Sequence, residues 1–186
     1  MDLSAHQSAI LALLKGVSPP CSDDYLRRIA DSGELRLARE VVLWWHAFRI
    51  ERYCPLTSAL LKRLQQFDPC IEQVCRNRVL SHFVEETGAA FLCAMRTHPD
   101  GLVAAVAQFE DALLRVKLGD ADEYRIVWEC NPRDVVEALV NDTPLDRDAA
   151  RGSYVTVVSG SLPQMIQVLR MQVDPCASPV VIVEGQ

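Results

Sequence analysis

Four histidines, at positions 6, 46, 82 and 98, and seven cysteines, at 21, 54, 70, 75, 93, 130 and 176, are the residues through which this chain could hold a metal or attack a substrate. No pair of them has the C-x₂-C or H-x₃-H spacing that brings two ligands to one ion. Cys70 and Cys75 come nearest, yet on a helix they diverge by about 140° around the axis. Ser159, Ser161 and Cys130 lie in no G-x-S-x-G elbow, and the eight glycines are too dispersed to form a phosphate loop. The acidic pairs Glu85-Glu86 and Glu110-Asp111 are expected to be solvated helix surface or partners in interhelix salt bridges. The expectation is therefore no catalytic residue, no metal and no cofactor on this chain. One cationic group, Lys62, Arg63, Arg76 and Arg78, could meet nucleic acid or an acidic peptide, or simply be a solvated helix face.

Composition narrows the classes further. With 186 residues and 49% hydrophobic content, the chain can bury a core as one or two small domains. Its formal net charge of -6 argues against phosphate-backbone binding as the main activity, because counterion release needs a clustered basic surface. The apolar run Val41-Val42-Leu43-Trp44-Trp45 is interrupted by His46 and Arg49, far short of the ~20 residues that a membrane span requires. The start, Met1-Asp2-Leu3-Ser4, is acidic where a secretory signal would be basic. A soluble, cytoplasmic protein is expected, with free thiols rather than a disulfide framework.

Helical periodicity dominates the first ~120 residues. A short helix over Ser4–Lys15 closes at Gly16 before the breaker Ser18-Pro19-Pro20, and Ser22-Asp23-Asp24 caps a second that runs to about Asp31. After Gly33 the spacing Leu37, Val41, Trp44, Trp45, Phe48 marks one apolar face of a long helix ended by Pro55, expected to be the central core helix. Leu56–Gln66 forms a shorter helix. Asp68-Pro69 reads as an N-cap with proline at the first helical position. Leu80, Phe83, Val84, Thr87, Phe91 and Ala94 keep helical spacing from Val79 to Arg96. Leu102, Val106, Phe109, Leu113 and Val116 give the clearest amphipathic pattern.

Beyond Asp120 the signal changes. Tyr124–Trp128 is rich in β-branched and aromatic residues, Asn131-Pro132 caps a helix to about Asn141, and Tyr154–Ser159 is a second strand. Met165–Met171 alternates Ile166, Val168 and Arg170 on one face with Met165, Gln167, Leu169 and Met171 on the other. Pro179–Val183 adds a final edge strand. The fold class is α+β: an N-terminal helical bundle followed by a small, mostly antiparallel sheet with one helix. The expected units are 1–120, helical, and 121–186, a small α/β recognition domain. Such a sheet with an open edge offers unpaired N–H and C=O groups to an extended peptide.

The run Trp128-Glu129-Cys130-Asn131-Pro132-x-x-Val135-Val136-x-Ala138-Leu139, followed by Pro144, Tyr154-Val155-Thr156-Val157-Val158-Ser159 and Leu162-Pro163, resembles the partner subunits of DUF692-type multinuclear non-haem iron enzymes that modify peptides. Arg49-Ile50-Glu51-Arg52-Tyr53-Cys54-Pro55-Leu56-Thr57 and Phe109-Glu110-Asp111-Ala112-Leu113 are similar to the helical domain of DUF2063 proteins. The resemblance spans roughly Val41 to Met171, and is nearest to the type of partner found in 3-thiaglutamate biosynthesis. It implies a chain without catalytic residues that binds the leader of a ribosomally made carrier peptide. The chain would present the peptide's cysteine to a TIM-barrel iron enzyme for oxidative modification such as β-carbon excision. Iron is then expected in the partner enzyme and no cofactor on this chain. Peptide contacts are expected along an exposed sheet edge, at Tyr154, Val155, Thr156, Val157, Val158, Met165, Gln167 and Leu169. The second reading is a DNA-binding or regulatory protein of the DUF2063 type, using Lys62, Arg63, Arg76 and Arg78.

Overall fold

The structure, a computed structural model, describes residues 3–17, 24–78, 80–81, 83–148, 151–172 and 180–182. Among the described residues eight helices precede or interrupt a four-stranded sheet: α1 (Leu3–Leu14), α2 (Asp24–Ala30), α3 (Gly33–Tyr53), α4 (Pro55–Arg63), α5 (Phe67–Asn77), α6 (Val84–Met95), α7 (Gly101–Lys117), β1 (Tyr124–Cys130), α8 (Pro132–Val140), β2 (Arg151–Val158), β3 (Ile166–Gln172) and β4 (Val180–Ile182). Strand order is β1-β2-β3-β4, every neighbouring pair antiparallel. The α+β class and the order of bundle then sheet are as the sequence indicates. Ser18-Pro19-Pro20, Ser22-Asp23, Val79, His82 and Val183 lie outside the described residues.

Caps set most of the boundaries. The Ser32 hydroxyl accepts from the Leu35 amide at 3.1 Å and opens α3, Asp100 accepts from Leu102 and Val103 at the start of α7, and Asn131 accepts from Arg133 ahead of Pro132 in α8. Each side chain takes one of the amides a first helical turn leaves free. Several boundaries differ from the sequence reading: α4 ends at Arg63 rather than Gln66, β2 starts at Arg151 rather than Tyr154, and the starts of α5 and α6 move for visible reasons. Helix α5 starts at Phe67 rather than after Asp68, so Pro69 falls third in the helix, still within the turn whose amides need no helical acceptor. Phe67 itself is buried, which draws the start of the helix one residue earlier. Helix α6 starts only at Val84, because the Ser81 hydroxyl accepts from the Phe83 amide and the Ser81 carbonyl accepts from the Thr87 hydroxyl, fixing a non-helical approach.

The largest correction concerns α3. Leu37, Val41, Trp44, Trp45 and Phe48, expected at the centre of the core, are all exposed; Trp44 keeps 60% and Leu37 61% of its surface. The core is met instead by the opposite stripe, Leu43, Ala47 and Ile50, with Cys54 just beyond the helix end. Both stripes have helical spacing, so period alone could not decide which one faces inward.

One buried cluster runs from Ile50, Leu60, Leu61 and Phe91 through Val103, Val106 and Phe109 to Trp128, Val135 and Val158, joining the helical segment to the α/β segment. Its seam is the edge-to-face contact of Phe109 with Trp128, ring centroids 5.7 Å apart. Leu13, Leu26 and Leu35 form a separate small cluster under α1 and α2. Gly88 lets α6 lie against α3, since a Cβ there would overlap the Tyr53 ring. Arg63 spans the two segments, donating to the carbonyls of Ala138 at 2.6 Å and Thr143 at 2.8 Å.

Glu110 departs from the expectation of a solvated or salt-bridged pair. It is only 4% exposed and accepts from the amides of Leu56 at 2.8 Å and Thr57 at 2.9 Å, closing the first turn of α4 from a neighbouring helix. Burial raises its pKa against the lowering effect of the Thr57 and Leu56 bonds. Asp111 beside it does form salt bridges, with Arg96 at 3.3 Å and Arg115 at 3.0 Å.

Replacing Glu110 by Ala strands two buried amides and is expected to lower stability by about 2–3 kcal/mol, read by urea unfolding. The pH dependence has a definite sign. Because the folded pKa lies above the ordinary 4.5, this group's stabilising contribution is full below 4.5 and declines as pH rises through the raised folded value. The stability difference between wild type and Glu110→Gln should therefore shrink across that window; a difference that grows with pH contradicts the assignment. Gly88→Ala should cost about 1–3 kcal/mol in the same assay by pushing α6 off Tyr53.

Candidate functional site

Of the two strands proposed for peptide pairing, β2 lies inside the sheet, while β3 keeps an outer edge over Ile166–Leu169 that no described strand covers. Strand β2 is flanked on both sides, with Val155 opposite Val127 on β1 and Leu169 on β3, so its main-chain groups are already used. Strand β3 is paired to β2 along Ile166–Arg170, and on its other side β4 covers Arg170–Gln172. The edge strands are β1 and β4. Alternation then sends the predicted residues to two different surfaces. Tyr154, Thr156 and Val158 point inward and are buried, whereas Val155, Gln167 and Leu169 are half-buried on the outer face in line with exposed Val127. Val157 belongs to the outer set but is buried, and Met165 ends the turn before β3, half-buried against the core.

The inward set opens into a groove. Between α8 and β3 lies a cleft of about 370 Å³, walled by Val136 and Val140 of α8 and by Ile166 and Val168 of β3, with Phe109 and Thr156 also lining it. Val140 is largely exposed, so the wall stands open to solvent. The α8 rim carries Arg133, Glu137 and Asn141. Such an apolar trough with a polar rim suits an extended or helical peptide segment better than a small polar metabolite.

Thr156 lies beneath this groove. Its residue surface is 0% exposed, and its hydroxyl has no hydrogen-bond partner. A buried hydroxyl left unpaired costs about 1–3 kcal/mol. The sequence reading named Thr156 as an expected peptide contact along a strand edge, but no pattern in the chain shows which strand residue will lack a hydrogen-bond partner.

The geometry of α8 is held from the bundle side. Beyond its own caps, the helix receives Arg63 at the Ala138 carbonyl near its C-terminal end, and Arg63 also pairs with Asp142 at 3.1 Å. The loop that follows is fixed by Arg147, which pairs with Asp100 at 3.0 Å. Burial raises the carboxyl pKa of Asp100, but the Arg147 bond and the two amides it caps outweigh this and lower it. Lys62 pairs with Glu51 at 2.8 Å. The cationic group expected from Lys62, Arg63, Arg76 and Arg78 is thus divided: two of its members are committed to structure.

Thiol chemistry is disfavoured where the sequence left it open. Burial raises the pKa of both Cys54 and Cys130, and each Sγ lies against a backbone carbonyl, that of Gly88 at 3.6 Å and that of Arg147 at 3.7 Å. A buried thiol held protonated is a poor nucleophile. Among the described residues no cluster of three or more His, Cys, Asp or Glu side chains is arranged to hold a metal ion, and no helix is long and apolar enough to cross a membrane.

The second exposed feature is the outer face of α3. Trp44 stacks on Phe48 with centroids 5.8 Å apart, Trp45 meets both rings edge-on, and Arg49 and Arg52 lie over Trp45 and Phe48 at 5.9 and 5.6 Å. With Leu37 and Val41 the patch is on the order of 500 Å², taking about 200 Å² for an aromatic side chain. Patches of this size on a soluble chain mark interaction surfaces.

Comparison with protein families, with curated proteins and with solved structures finds no match to this chain.

Thr156→Val is expected to raise stability by about 1 kcal/mol, because it replaces an unpaired hydroxyl with a methyl of similar size. Thermal unfolding of the free chain checks this; an unchanged or lower melting temperature would mean the hydroxyl is already satisfied.

Proposed function

We propose that this chain is the non-catalytic, peptide-recognition subunit of a two-protein complex whose catalytic member is a DUF692-type TIM-barrel enzyme carrying the iron. The observation that carries the reading is the aromatic face of α3. Five large apolar side chains stand in solvent on the face opposite the one that meets the core, a pattern that a chain acting alone would have no reason to keep. Arg49 and Arg52, seated on Trp45 and Phe48, set the charge of one rim and call for acidic residues on the surface that covers it.

In this reading the division of labour is physical. The α3 face docks the iron enzyme, and the α8/β3 groove holds part of the leader of a ribosomally made carrier peptide. The peptide's cysteine then reaches metals that belong to the other chain. The groove contributes affinity through apolar burial, replacing the main-chain pairing along β2 that the sheet order forecloses. The nucleic-acid alternative loses support from the commitment of Lys62 to Glu51 and of Arg63 to α8.

Co-expression with a DUF692-type enzyme from a neighbouring gene should yield an iron-containing complex that binds its peptide only when this chain is present. The double substitution Trp44→Glu, Trp45→Glu should abolish co-elution while leaving the far-ultraviolet circular dichroism of the free chain unchanged, since both rings lie outside the core. Complex formation that survives both substitutions would remove α3 from the interface. An enzyme fully active on its peptide without this chain would sink the reading as a whole.

A further inference from the structure

A second cavity lies on the far side of the bundle, where the end of α1, the middle of α3 and the end of α5 meet. It encloses about 360 Å³. Its apolar wall includes Leu11, Leu14, Val42, Leu43 and Leu80, and its polar lining includes Lys15, Arg39, Arg76 and Arg78. None of these four cations forms an ion pair with a carboxylate among the described residues. Arg39 spends only its Nε, on the Leu13 carbonyl at 2.7 Å, and Arg78 reaches no more than the Cys93 sulfur at 3.9 Å.

The ordinary explanation is that cations gather at helix C-termini to complement the dipole. Two helix ends meet this cavity, and each supplies roughly half a negative charge. With Glu72, the one acidic residue in the lining, they offset about two of the four cations, leaving an excess of about two positive charges. That excess sits in a chain whose net charge is -6, so the surface as a whole has no shortage of carboxylates to pair with it. Arginines without an ion pair occur elsewhere among the described residues, at Arg28, Arg36, Arg49, Arg52, Arg133 and Arg170, so what is particular here is that four such cations converge on one partly apolar cavity.

We infer that this cavity binds a peptide segment in which an acidic side chain adjoins an aliphatic one. The carboxylate takes the arginine and lysine donors, and the aliphatic group takes the leucine and valine wall. Unpaired guanidinium groups suit a carboxylate through paired N–H donors in a fixed fork. The apolar share of the lining is what separates this site from one for a bare anion. The choice of a peptide as ligand rests on the recognition-subunit reading above; the excess of unpaired cations does not. The site lies apart from the α8/β3 groove, so a leader bound at both would be held at two points, with the gain in affinity that linked contacts give.

The test uses the full chain without any partner, so that failure here stays separate from failure of the docking reading, which concerns α3 and complex formation. The ¹⁵N-labelled protein is titrated with N-acetyl-Leu-Glu-Leu-amide and with its Leu-Gln-Leu isostere. The acidic peptide should shift the amides of Gly16, Val42, Cys75 and Leu80, and the isostere should bind about tenfold more weakly, the value of one charge-assisted contact. Arg76→Gln with Arg78→Gln should remove about the same factor without disturbing the spectrum elsewhere, because both side chains are exposed. Equal binding of the two peptides, shifts confined to other surfaces, or no shift at millimolar peptide would overturn the assignment. Inorganic phosphate moving the same amides with equal affinity would make this a bare-anion site, and tighter binding of a thymidine decanucleotide would make it a nucleic-acid site. Either of those results also overturns the peptide proposal.

Discussion

The arrangement depends first on the corner between α3 and α4 and on the carboxylate that closes it. Pro55 ends α3 and begins α4 with Cys54 as the sole hinge residue, so the first amides of α4 come free in the middle of the protein rather than at its surface. Water cannot reach them there, and an unpaired buried amide is costly. Glu110 answers from α7 with one oxygen for each of two amides. The charge this requires is expensive to bury, which is why its pKa moves up, yet it also makes α7 and α4 inseparable. Helix α7 carries Phe109 one residue earlier, and through Phe109 the whole sheet rests on Trp128. Position 110 therefore fixes the bundle corner, and position 109 fixes the sheet against the bundle.

From that fixed centre the two surfaces available to other molecules are rigidly separated. Helix α8 is anchored to α4 by Arg63, so the groove it forms with β3 does not depend on the flanking loop alone. The aromatic face of α3 is turned away from the core by the stripe that meets it, Leu43, Ala47 and Ile50. A 21-residue helix that is apolar on two opposite faces behaves as an internal helix with one wall missing. In the proposed reading that wall is the partner enzyme, and the α8/β3 groove lies on a separate surface of the chain.

What the sequence could show followed from how local each signal is. The cap at Asn131 and the spacing of Leu102, Val106, Phe109 and Val116 involve residues within one element, and they place α8 and α7 correctly, whereas the sequence reading names no cap at Ser32 or Asp100. The choice between the two stripes of α3 is not local. Leu37-Val41-Trp44-Trp45-Phe48 has the stronger apolar content, so burial arguments favour it, but the core is closed by residues from α4, α6 and α7 that fit the smaller stripe around Ala47. Close approach at Gly88 needs a thin face of α3 with Tyr53 at its end, and tryptophan there would hold the helices apart. The sheet edge failed for a similar reason: Tyr154–Ser159 reads as a good strand, but its position between two others is a property of the pairing order. Glu110 was legible as an acid on an amphipathic helix, and nothing within α7 reveals that a helix start fifty residues earlier in the chain will be facing it.

The disposition of positive charge draws these strands together. The four cations that look like one group in the sequence do three different jobs: Lys62 pairs with Glu51, Arg63 holds the end of α8, and Arg76 and Arg78 join Lys15 and Arg39 around a cavity. Many cations of this chain have no carboxylate partner among the described residues, so the informative feature is where they gather. Folding has brought four of them, Arg39 and Arg76 from α3 and α5 and Lys15 and Arg78 from the turns after α1 and α5, to one concave place lined with leucine and valine. Stability alone gives no reason for that convergence, because like charges gathered without counterions repel. That cationic cavity and the aromatic face of α3 in water are two separate costs of the free chain, and each is of the kind that a covering partner lowers.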